Sequence, residues 1–177
     1  MDRRNFLKIA GLASMASLFP EMALADAKAP FEKSLSFYNT HTGEKLKTTF
    51  WAEGIYIPES IAEINHILRD HRNGQAAQMD LELFDLLYAI RSNLGSNEAF
   101  HVISGYRSPQ TNAKLAKNSS GVAKKSLHMQ GKAIDINLPG RNLSDLRKVA
   151  LAMKQGGVGY YPASDFVHVD VGRVRSW

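Results

Sequence analysis

The chain has 177 residues, a formal net charge of +5 and no cysteine. The absence of cysteine excludes disulfide bonds and thiolate metal ligands, so stability must come from packing or from a metal held by other side chains. The modest positive charge suits an anionic polymer as partner. Nucleic acid is a poor candidate, because the sequence contains no basic helix and no strand motif that combines aromatic and basic residues.

The N-terminal segment has the pattern of an export signal. A twin-arginine motif at residues 3–8 is followed by a moderately apolar run at 9–19 and by the small-x-small site Ala23-Leu24-Ala25. We therefore expect a signal peptide over residues 1–25, with cleavage after Ala27 as an alternative, and export to the periplasm by the twin-arginine machinery. The apolar run is shorter than the roughly 20 residues of a membrane-spanning helix, so no stable membrane insertion is expected after cleavage.

Removal of the leader leaves residues 26–177, which is the usual size of a single domain with one core. The leader carries three positive and two negative charges, which leaves this domain with a net charge of +4. No internal repeat or second domain boundary is visible in the sequence.

The first half of the domain is predicted to hold two strands and two helices. Strands are expected at residues 35–38 and 47–51, joined by a turn at Gly43. Apolar residues at helical spacing predict a helix from Pro58 to about Arg72 and another that follows a cap at Asp80 and runs to about Leu94. Three histidines here are interpreted as structural: His41 in the turn, and His66 and His71 as solvated side chains of the first helix.

The second half is predicted to alternate strands with helices. A strand at residues 100–104 leads to a helix with Ser108 as its cap and a proline at its first position. A further helix at 143–155 is expected to end at Gly156-Gly157, ahead of a strand at 158–161. The whole pattern predicts an α+β fold, in which a small antiparallel sheet has helices packed on it.

The strongest chemical signal is the pattern Ser126-x-His128-x-x-Gly131-x-Ala133-x-Asp135, which is followed near the C-terminus by His168-x-Asp170. Alternating apolar and polar residues after Gly131 predict a strand with one face in the core and Asp135 in a cleft. Neutral imidazole and carboxylate are suitable zinc ligands, and three protein ligands leave a fourth position for water. A lone His-x-Asp pair is usually structural, but the two segments together are far more restrictive.

These motifs resemble those of the zinc-dependent cell-wall peptidases of the D-alanyl-D-alanine carboxypeptidase and hedgehog-like superfamily, and among them its twin-arginine-exported murein endopeptidases. The likeness also covers residues 39–44, 103–108, 121–126 and 156–162. The resemblance implies a hedgehog/D,D-peptidase-like fold with one zinc ion per chain. It also implies that His128, Asp135 and His168 are the zinc ligands.

The resemblance further implies that Arg107 faces the zinc and supports charge on the substrate carbonyl. Two residues compete as general base. Asp170 shares a strand face with His168 and is slightly favoured, whereas Asp165 lies three residues before that histidine, where many carboxypeptidase relatives have an acid-x-x-His pattern. Asp170 is alternatively an orienter of a ligand histidine.

Three further residues are candidates for substrate binding: Ser126, Lys125 and Tyr106. Ser126 is expected to contact substrate or orient the site rather than act as a nucleophile. Lys125 belongs to a Ser/Lys/Gly-rich loop at residues 117–125, which is either a solvated loop or a cationic rim for the carboxylates of peptide stems.

The implied function is zinc-dependent hydrolysis of peptide bonds in peptidoglycan. The resemblance points to cleavage of cross-links between stem peptides, particularly those that join two diaminopimelate residues. D,D- or L,D-carboxypeptidases and L-alanyl-D-glutamate peptidases would use the same zinc ligands. A non-catalytic, zinc-containing wall-binding module is the alternative of a different class, and the intact ligand set together with Arg107 favours the enzyme.

Overall fold

The computed structural model describes residues 31–118 and 122–177. These residues contain eight strands and four α-helices. The predicted export signal lies outside these residues. The helices are α1 (Pro58–Ile67), α2 (Leu81–Asn93), α3 (Pro109–Asn118) and α4 (Leu143–Met153). The strands are β1 (Glu32–Asn39), β2 (Lys45–Ala52), β3 (Ile55–Tyr56), β4 (Phe100–Ser104), β5 (Ala133–Asn137), β6 (Gly157–Tyr161), β7 (Phe166–Asp170) and β8 (Arg175–Ser176).

The strands form one sheet in the order β3-β2-β1-β4-β5-β7-β6-β8. Neighbours run antiparallel except for β1 with β4 and β6 with β8, which are parallel. The predicted α+β class is confirmed, but the sheet is mixed and has more strands than the sequence indicated. The two-residue strands β3 and β8 are too short to show a period, and the β1–β4 pairing depends on the intervening helices that carry the chain back across the sheet.

The core lies between one face of this sheet and helices α1, α2 and α4. On β5 and β7, the alternate residues Ile134, Ile136, Val167 and Val169 are fully buried, as the predicted strand alternation requires. Burial of each such side chain contributes about 1.5–3 kcal/mol to folding. The opposite face of the same strands carries the polar residues and is free to form a site.

Two predicted helix caps are confirmed. The Asp80 carboxylate accepts the Glu82 N–H at 3.0 Å at the start of α2, and Ser108 Oγ accepts the Thr111 N–H at 3.2 Å at the start of α3. These contacts satisfy N–H groups that have no partner within the helix. The Ser108 contact also fixes the start of α3 at Pro109, two residues after Arg107.

Two predicted helix ends are wrong. Helix α1 stops at Ile67, because Asp70 closes a turn by accepting the Arg72 N–H and also accepts the Ser108 N–H at 2.9 Å. Helix α4 stops at Met153, with Lys154 in the left-handed conformation at φ 53°. Gly156 serves a different purpose from helix termination, since a Cβ there would overlap the backbone of Asp170.

Within residues 31–118 and 122–177, no helix is both long and apolar enough to cross a lipid bilayer.

Candidate metal centre

The site is built on a row of residues that crosses the sheet from strand to strand. Pairing places Ser104 opposite Asp135, Asp135 opposite His168, and His168 opposite Gly159. Directly opposed residues on neighbouring strands project from the same face. Asp135 and His168 therefore lie side by side on the face away from the core, as their strand positions predicted.

His128 reaches this row from a short turn of 3₁₀-helix at Leu127–Gln130, which precedes the predicted strand that follows Gly131. Ser126 caps the turn, with its hydroxyl accepting the His128 N–H at 3.4 Å. Gly131 ends the turn in the left-handed conformation at φ 68°, and a Cβ there would overlap the Gln78 carbonyl. Glycine is thus required for the chain to turn from His128 into β5.

Three donor atoms converge in the buried space between these elements. His128 Nε2 lies 3.2 Å from His168 Nδ1, which lies 2.8 Å from Asp135 Oδ1, and the third side of the triangle, His128 Nε2 to Asp135 Oδ1, is 3.4 Å. Ligands at zinc-bond lengths in a tetrahedron are about 3.3 Å apart. The spacing and the chemistry of this His-Asp-His group therefore fit one metal ion.

Each imidazole is oriented by a hydrogen bond from its other nitrogen. His128 Nδ1 donates to the Gly105 carbonyl at 2.7 Å, which leaves Nε2 with its lone pair toward the cluster. His168 Nε2 donates to Asp170 Oδ2 at 3.1 Å, which leaves Nδ1 toward the cluster. Such outer hydrogen bonds fix the tautomer that a metal needs.

The pKa shifts in the cluster favour an ionised Asp135 beside a protonated His168. Burial alone would raise the pKa of Asp135, but the adjacent imidazoles of His128 and His168 outweigh it and hold that pKa well below its usual range. Burial alone would lower the pKa of His168, but hydrogen bonds to Asp135 and Asp170 outweigh it and raise that pKa. The site is therefore suited to a positive charge among its donors, which a metal cation would supply in place of the proton.

Asp170 lies behind His168 and not in the open cleft. Its Oδ1 accepts the Gly157 and Gly172 N–H groups at 2.9 and 2.8 Å, and its Oδ2 accepts from Arg175 Nη2 at 2.6 Å as well as from His168. The side chain is 0% exposed, and although burial raises the pKa, these bonds outweigh it and hold the pKa well below its usual range. The favoured prediction of Asp170 as general base finds no support in this geometry, which fits the orienting alternative.

Asp165, the other predicted base, lies at the end of a 3₁₀ turn at Pro162–Ser164 and is exposed. Its backbone carbonyl accepts the Asn137 side-chain N–H at 2.9 Å, which ties the turn to β5. The Asp165 side chain is not among those that line the cleft over the metal centre.

Arg107 lies at one side of the cluster. Its Nη2 is 3.3 Å from Ser104 Oγ and 3.8 Å from Asp135 Oδ2. Its Nε is buried and has no hydrogen-bond partner among the described residues. Burial lowers the pKa of Arg107, and the charge of Asp135 opposes that effect. The Arg107 guanidinium thus lies beside the cluster, and the residue lines the cleft above it.

The cluster opens into a cleft of about 420 Å³. Of the three predicted substrate-binding residues, Ser126 and Lys125 line the cleft. Tyr106 does not, because it packs against the hydrophobic core.

The sequence reasoning missed Tyr161, Phe166, Arg175 and Trp177, which also line the cleft. The signal that could have found them is the alternation Gly157-x-Gly159-x-Tyr161 in β6. A Cβ at Gly157 would overlap Arg175, and one at Gly159 would lie 2.7 Å from the Trp177 ring. The two glycines therefore make room for side chains that strand β8 brings onto the site face.

Comparison with known proteins agrees with this site. The family model for peptidoglycan L,D-endopeptidase MepK matches residues 27–177. Peptidoglycan L,D-endopeptidase MepK of Escherichia coli K12 is 44% identical over 176 residues, which cover 99% of this chain and 97% of that protein. The probable peptidoglycan L,D-endopeptidase MepK of Haemophilus influenzae Rd is 41% identical over 177 residues, with 99% and 95% covered. The chain belongs to the MepK family of M15 peptidases.

Proposed function

We propose that the protein is a zinc-dependent L,D-endopeptidase that hydrolyses cross-links between peptidoglycan stem peptides in the periplasm. The observation that carries the proposal is the convergence of His128 Nε2, His168 Nδ1 and Asp135 Oδ1 within 3.4 Å of one another, at the base of a cleft that also presents Arg107. The relatives from Escherichia coli and Haemophilus influenzae are named as L,D-endopeptidases of peptidoglycan, which indicates the bond class.

In this proposal, His128, Asp135 and His168 hold the metal. Bound zinc supplies a Lewis acid for the scissile carbonyl and lowers the pKa of a water molecule to near 7. The protein keeps the three donors in place through the Gly105 carbonyl and the Asp170 carboxylate, which hold the two imidazole rings from behind. Asp170 is therefore assigned to positioning His168, and neither Asp170 nor Asp165 is assigned as general base.

Arg107 is assigned to the negative charge that develops on the carbonyl oxygen. Its side chain lines the cleft and is mostly buried, with Nη2 3.8 Å from Asp135 Oδ2. A fixed donor in a cleft shielded from water stabilises such charge more strongly than one in solution. Arginine keeps its proton at all working pH values, so it acts here as a donor and not as a base.

The charge around the cleft supports an anionic substrate. Lys125 lies exposed on the cleft lining, beside the exposed Lys124, and Arg175 lines the same opening. Stem peptides carry free carboxylates, including that of diaminopimelate, so a cationic rim is expected to orient them. Cleavage between two diaminopimelate residues is the specific bond that we propose.

The same proposal places the enzyme outside the inner membrane. The twin-arginine pattern at residues 3–8 and the cleavage site after Ala25 support export of the folded domain, and the relatives' substrate lies in the cell wall. Replacement of Arg3 and Arg4 by lysine is expected to retain an uncleaved precursor in the cytoplasm, which fractionation and immunoblotting would detect.

Mass spectrometry of defined muropeptides tests the proposed function. The zinc-loaded protein should convert dimers linked by an L,D cross-link into two monomers with the addition of one water, and it should leave D,D-linked dimers and the ends of monomer stems intact. A chelator should stop the reaction and zinc should restore it. Asp135→Asn should be inactive, whereas the matched change Asp145→Asn on the exposed surface of α4 should have no effect. Trimming of monomers without dimer cleavage would instead show a carboxypeptidase.

A further inference from the structure

Tyr161 occupies a fixed position on the site face. It is the last residue of β6 and pairs with Phe166 of β7, two residues from His168 on the same face. Its ring stacks on the Phe166 ring, with centroids 4.6 Å apart and planes 20° from parallel. Such stacking favours this position of the ring, which borders the cleft.

The direction of the Tyr161 proton follows from its partner. The hydroxyl oxygen lies 2.7 Å from Trp177 Nε1, and an indole nitrogen can only donate. Tyr161 therefore accepts this bond and keeps its own O–H free to donate. Among the described residues, no acceptor for that proton is found. A hydroxyl that accepts one hydrogen bond is also polarised into a stronger donor.

Trp177 is held through its backbone, and the residue is 49% exposed. Its backbone N–H donates to the Val158 carbonyl at 3.2 Å, and its carbonyl accepts the Tyr160 N–H at 3.0 Å, which continues the pairing of β8 with β6. Its ring lies against Gly159, with its centroid 5.3 Å from that of His168. The Tyr161 hydroxyl is thus tied by way of Trp177 to β6, the strand next to the one that carries His168.

Neither aspartate near the cleft binds the Tyr161 hydroxyl, so its O–H stays available to a substrate. Asp170 has both oxygens engaged, and Asp165 lies outside the cleft lining. Arg107 approaches the cluster from the β4 end of the row, whereas Tyr161 comes from β6 on the other side of His168. Both side chains line the same cleft.

Building on the proposed function, we propose that Tyr161 is a catalytic residue, which donates a hydrogen bond to the carbonyl oxygen of the scissile amide as that oxygen becomes negative. Trp177 is the positioning residue that holds the hydroxyl. The bond requires no net proton transfer from Tyr161: water adds to the carbonyl carbon, the C–N bond breaks, and the amine leaves with a proton from that water. Arg107 and Tyr161 would then be two donors for one developing charge.

The Tyr161→Phe variant tests the assignment, because it removes one oxygen and keeps the ring that stacks on Phe166. We expect kcat for L,D-linked dimers to fall by about 10²–10³-fold with little change in KM and with full zinc content. The matched control is Tyr160→Phe, one residue away on the opposite face, where Arg147 lies over the ring at 4.8 Å. That control should keep wild-type activity.

The positioning role of Trp177 has its own test. Trp177→Phe keeps a ring against Gly159 and removes the indole N–H, so kcat should fall by about tenfold, the equivalent of one hydrogen bond. If Trp177 acts through Tyr161, the double variant should be no slower than Tyr161→Phe alone, since residues that act as a unit are not additive. Independent, additive losses would overturn the positioning role.

Binding of a phosphinate analogue of the scissile bond gives a readout separate from turnover. Its tetrahedral oxygens resemble the developing charge, so Tyr161→Phe should weaken its binding to the zinc-loaded protein by about the same factor as kcat, as measured by calorimetry. A Tyr161→Phe protein with wild-type kcat and analogue affinity would overturn the assignment while wild-type activity still upheld the proposed function. No cleavage by the wild type would instead sink the proposed function itself.

Discussion

The described part of the chain contains two pairs of neighbouring histidines, and only one of these two pairs has ring planes that converge on a point where a metal could bind. In the pair His128/His168, the ring centroids are 5.0 Å apart and the planes are tilted by 60°, whereas in His41/His71 the rings stack at 3.8 Å and 15°. An imidazole lone pair lies in the plane of its ring, so two nearly parallel stacked rings cannot aim at one point. Tilted rings can, and Asp135 completes that group.

The stacked pair is held by packing. His41 Nε2 donates to the Ile103 carbonyl at 3.1 Å, and burial beside His41 and Arg72 lowers the pKa of His71 to about 4. His71 is therefore neutral near pH 7. The prediction that His71 is a solvated helical residue is wrong, since α1 ends at Ile67 and the ring is half-buried. Adjacent histidines thus indicate a metal site only when their ring planes converge.

Substitution of one histidine from each pair should give the largest contrast. His168→Ala removes a ligand, so we expect no stoichiometric zinc and no detectable cleavage of cross-linked dimers. His71→Ala should keep about one zinc per chain and nearly full turnover, with some loss of stability from the lost stacking. Elemental analysis and mass spectrometry of the same preparations measure both. Loss of zinc from His71→Ala would break the contrast.

Arg107 lies near both histidine pairs, 3.8 Å from Asp135 and close enough to His71 to contribute to its lowered pKa. We expect Arg107→Ala to lower kcat by about 10²–10³-fold and to leave zinc content intact, because arginine is not a ligand. Arg141→Ala, which removes an exposed contact with the Gly95 carbonyl, is the matched control. If the Arg107→Ala protein lost its zinc, Arg107 would instead be needed to hold the metal ligands in place.

The orienting bonds behind the rings should give an intermediate effect. Asp170→Asn leaves His168 Nε2 without its carboxylate partner, so zinc affinity should fall by about 10–100-fold. When saturated with zinc, the variant should keep substantial activity. Asp165→Asn, an exposed change, should alter neither. If Asp170→Asn is inactive with its zinc fully bound, Asp170 is the general base after all.

The lowered pKa of His71 in the stacked pair should make the free energy of unfolding depend on pH. The pKa of His71 is about 4 in the folded protein and about 6.5 in the unfolded chain, so between these values the unfolded state binds the additional proton. Its contribution is present above pH 6.5 and is lost as the pH falls toward 4. His71→Phe keeps a ring on His41 and should remove this slope, a difference of no more than about 1 kcal/mol for a half-exposed group. Urea unfolding of the wild type and of His71→Phe at pH 7.5 and pH 5 would measure this difference. If both proteins lost the same free energy of unfolding between the two pH values, the burial of His71 would be contradicted.

The sequence predicted those features that depend on local pattern. The alternation around Asp135 and His168, the caps at Asp80 and Ser108, and the α+β class all follow from periods of two or 3.6 residues and from cap chemistry. The position of His128 on a 3₁₀ turn did not, because only the tight approach of Gly131 to Gln78 shows that a turn is needed there. Such an approach joins segments far apart in the chain.

Apart from the glycine alternation in β6, no local pattern indicated the residues of the cleft walls. Arg175 begins the two-residue edge strand β8, and Trp177 directly follows it. The pairing of β8 with β6 is parallel, and two residues are too few to reveal a period. The hydrogen bond from Arg175 to Asp170 also depends on the tertiary fold, although the two residues are only five apart in the sequence. A strand face shared with His168 therefore placed Asp170 correctly on the sheet and gave no sign that its oxygens were already bonded.

Anomalous diffraction at the zinc absorption edge, on crystals of the metal-loaded protein, tests the central claim most directly. The account predicts one ion about 2.0–2.2 Å from His128 Nε2, His168 Nδ1 and an Asp135 carboxylate oxygen, with one position open toward the cleft. An ion bound instead beside His41 and His71, or one that takes both Asp170 oxygens as ligands, would contradict it.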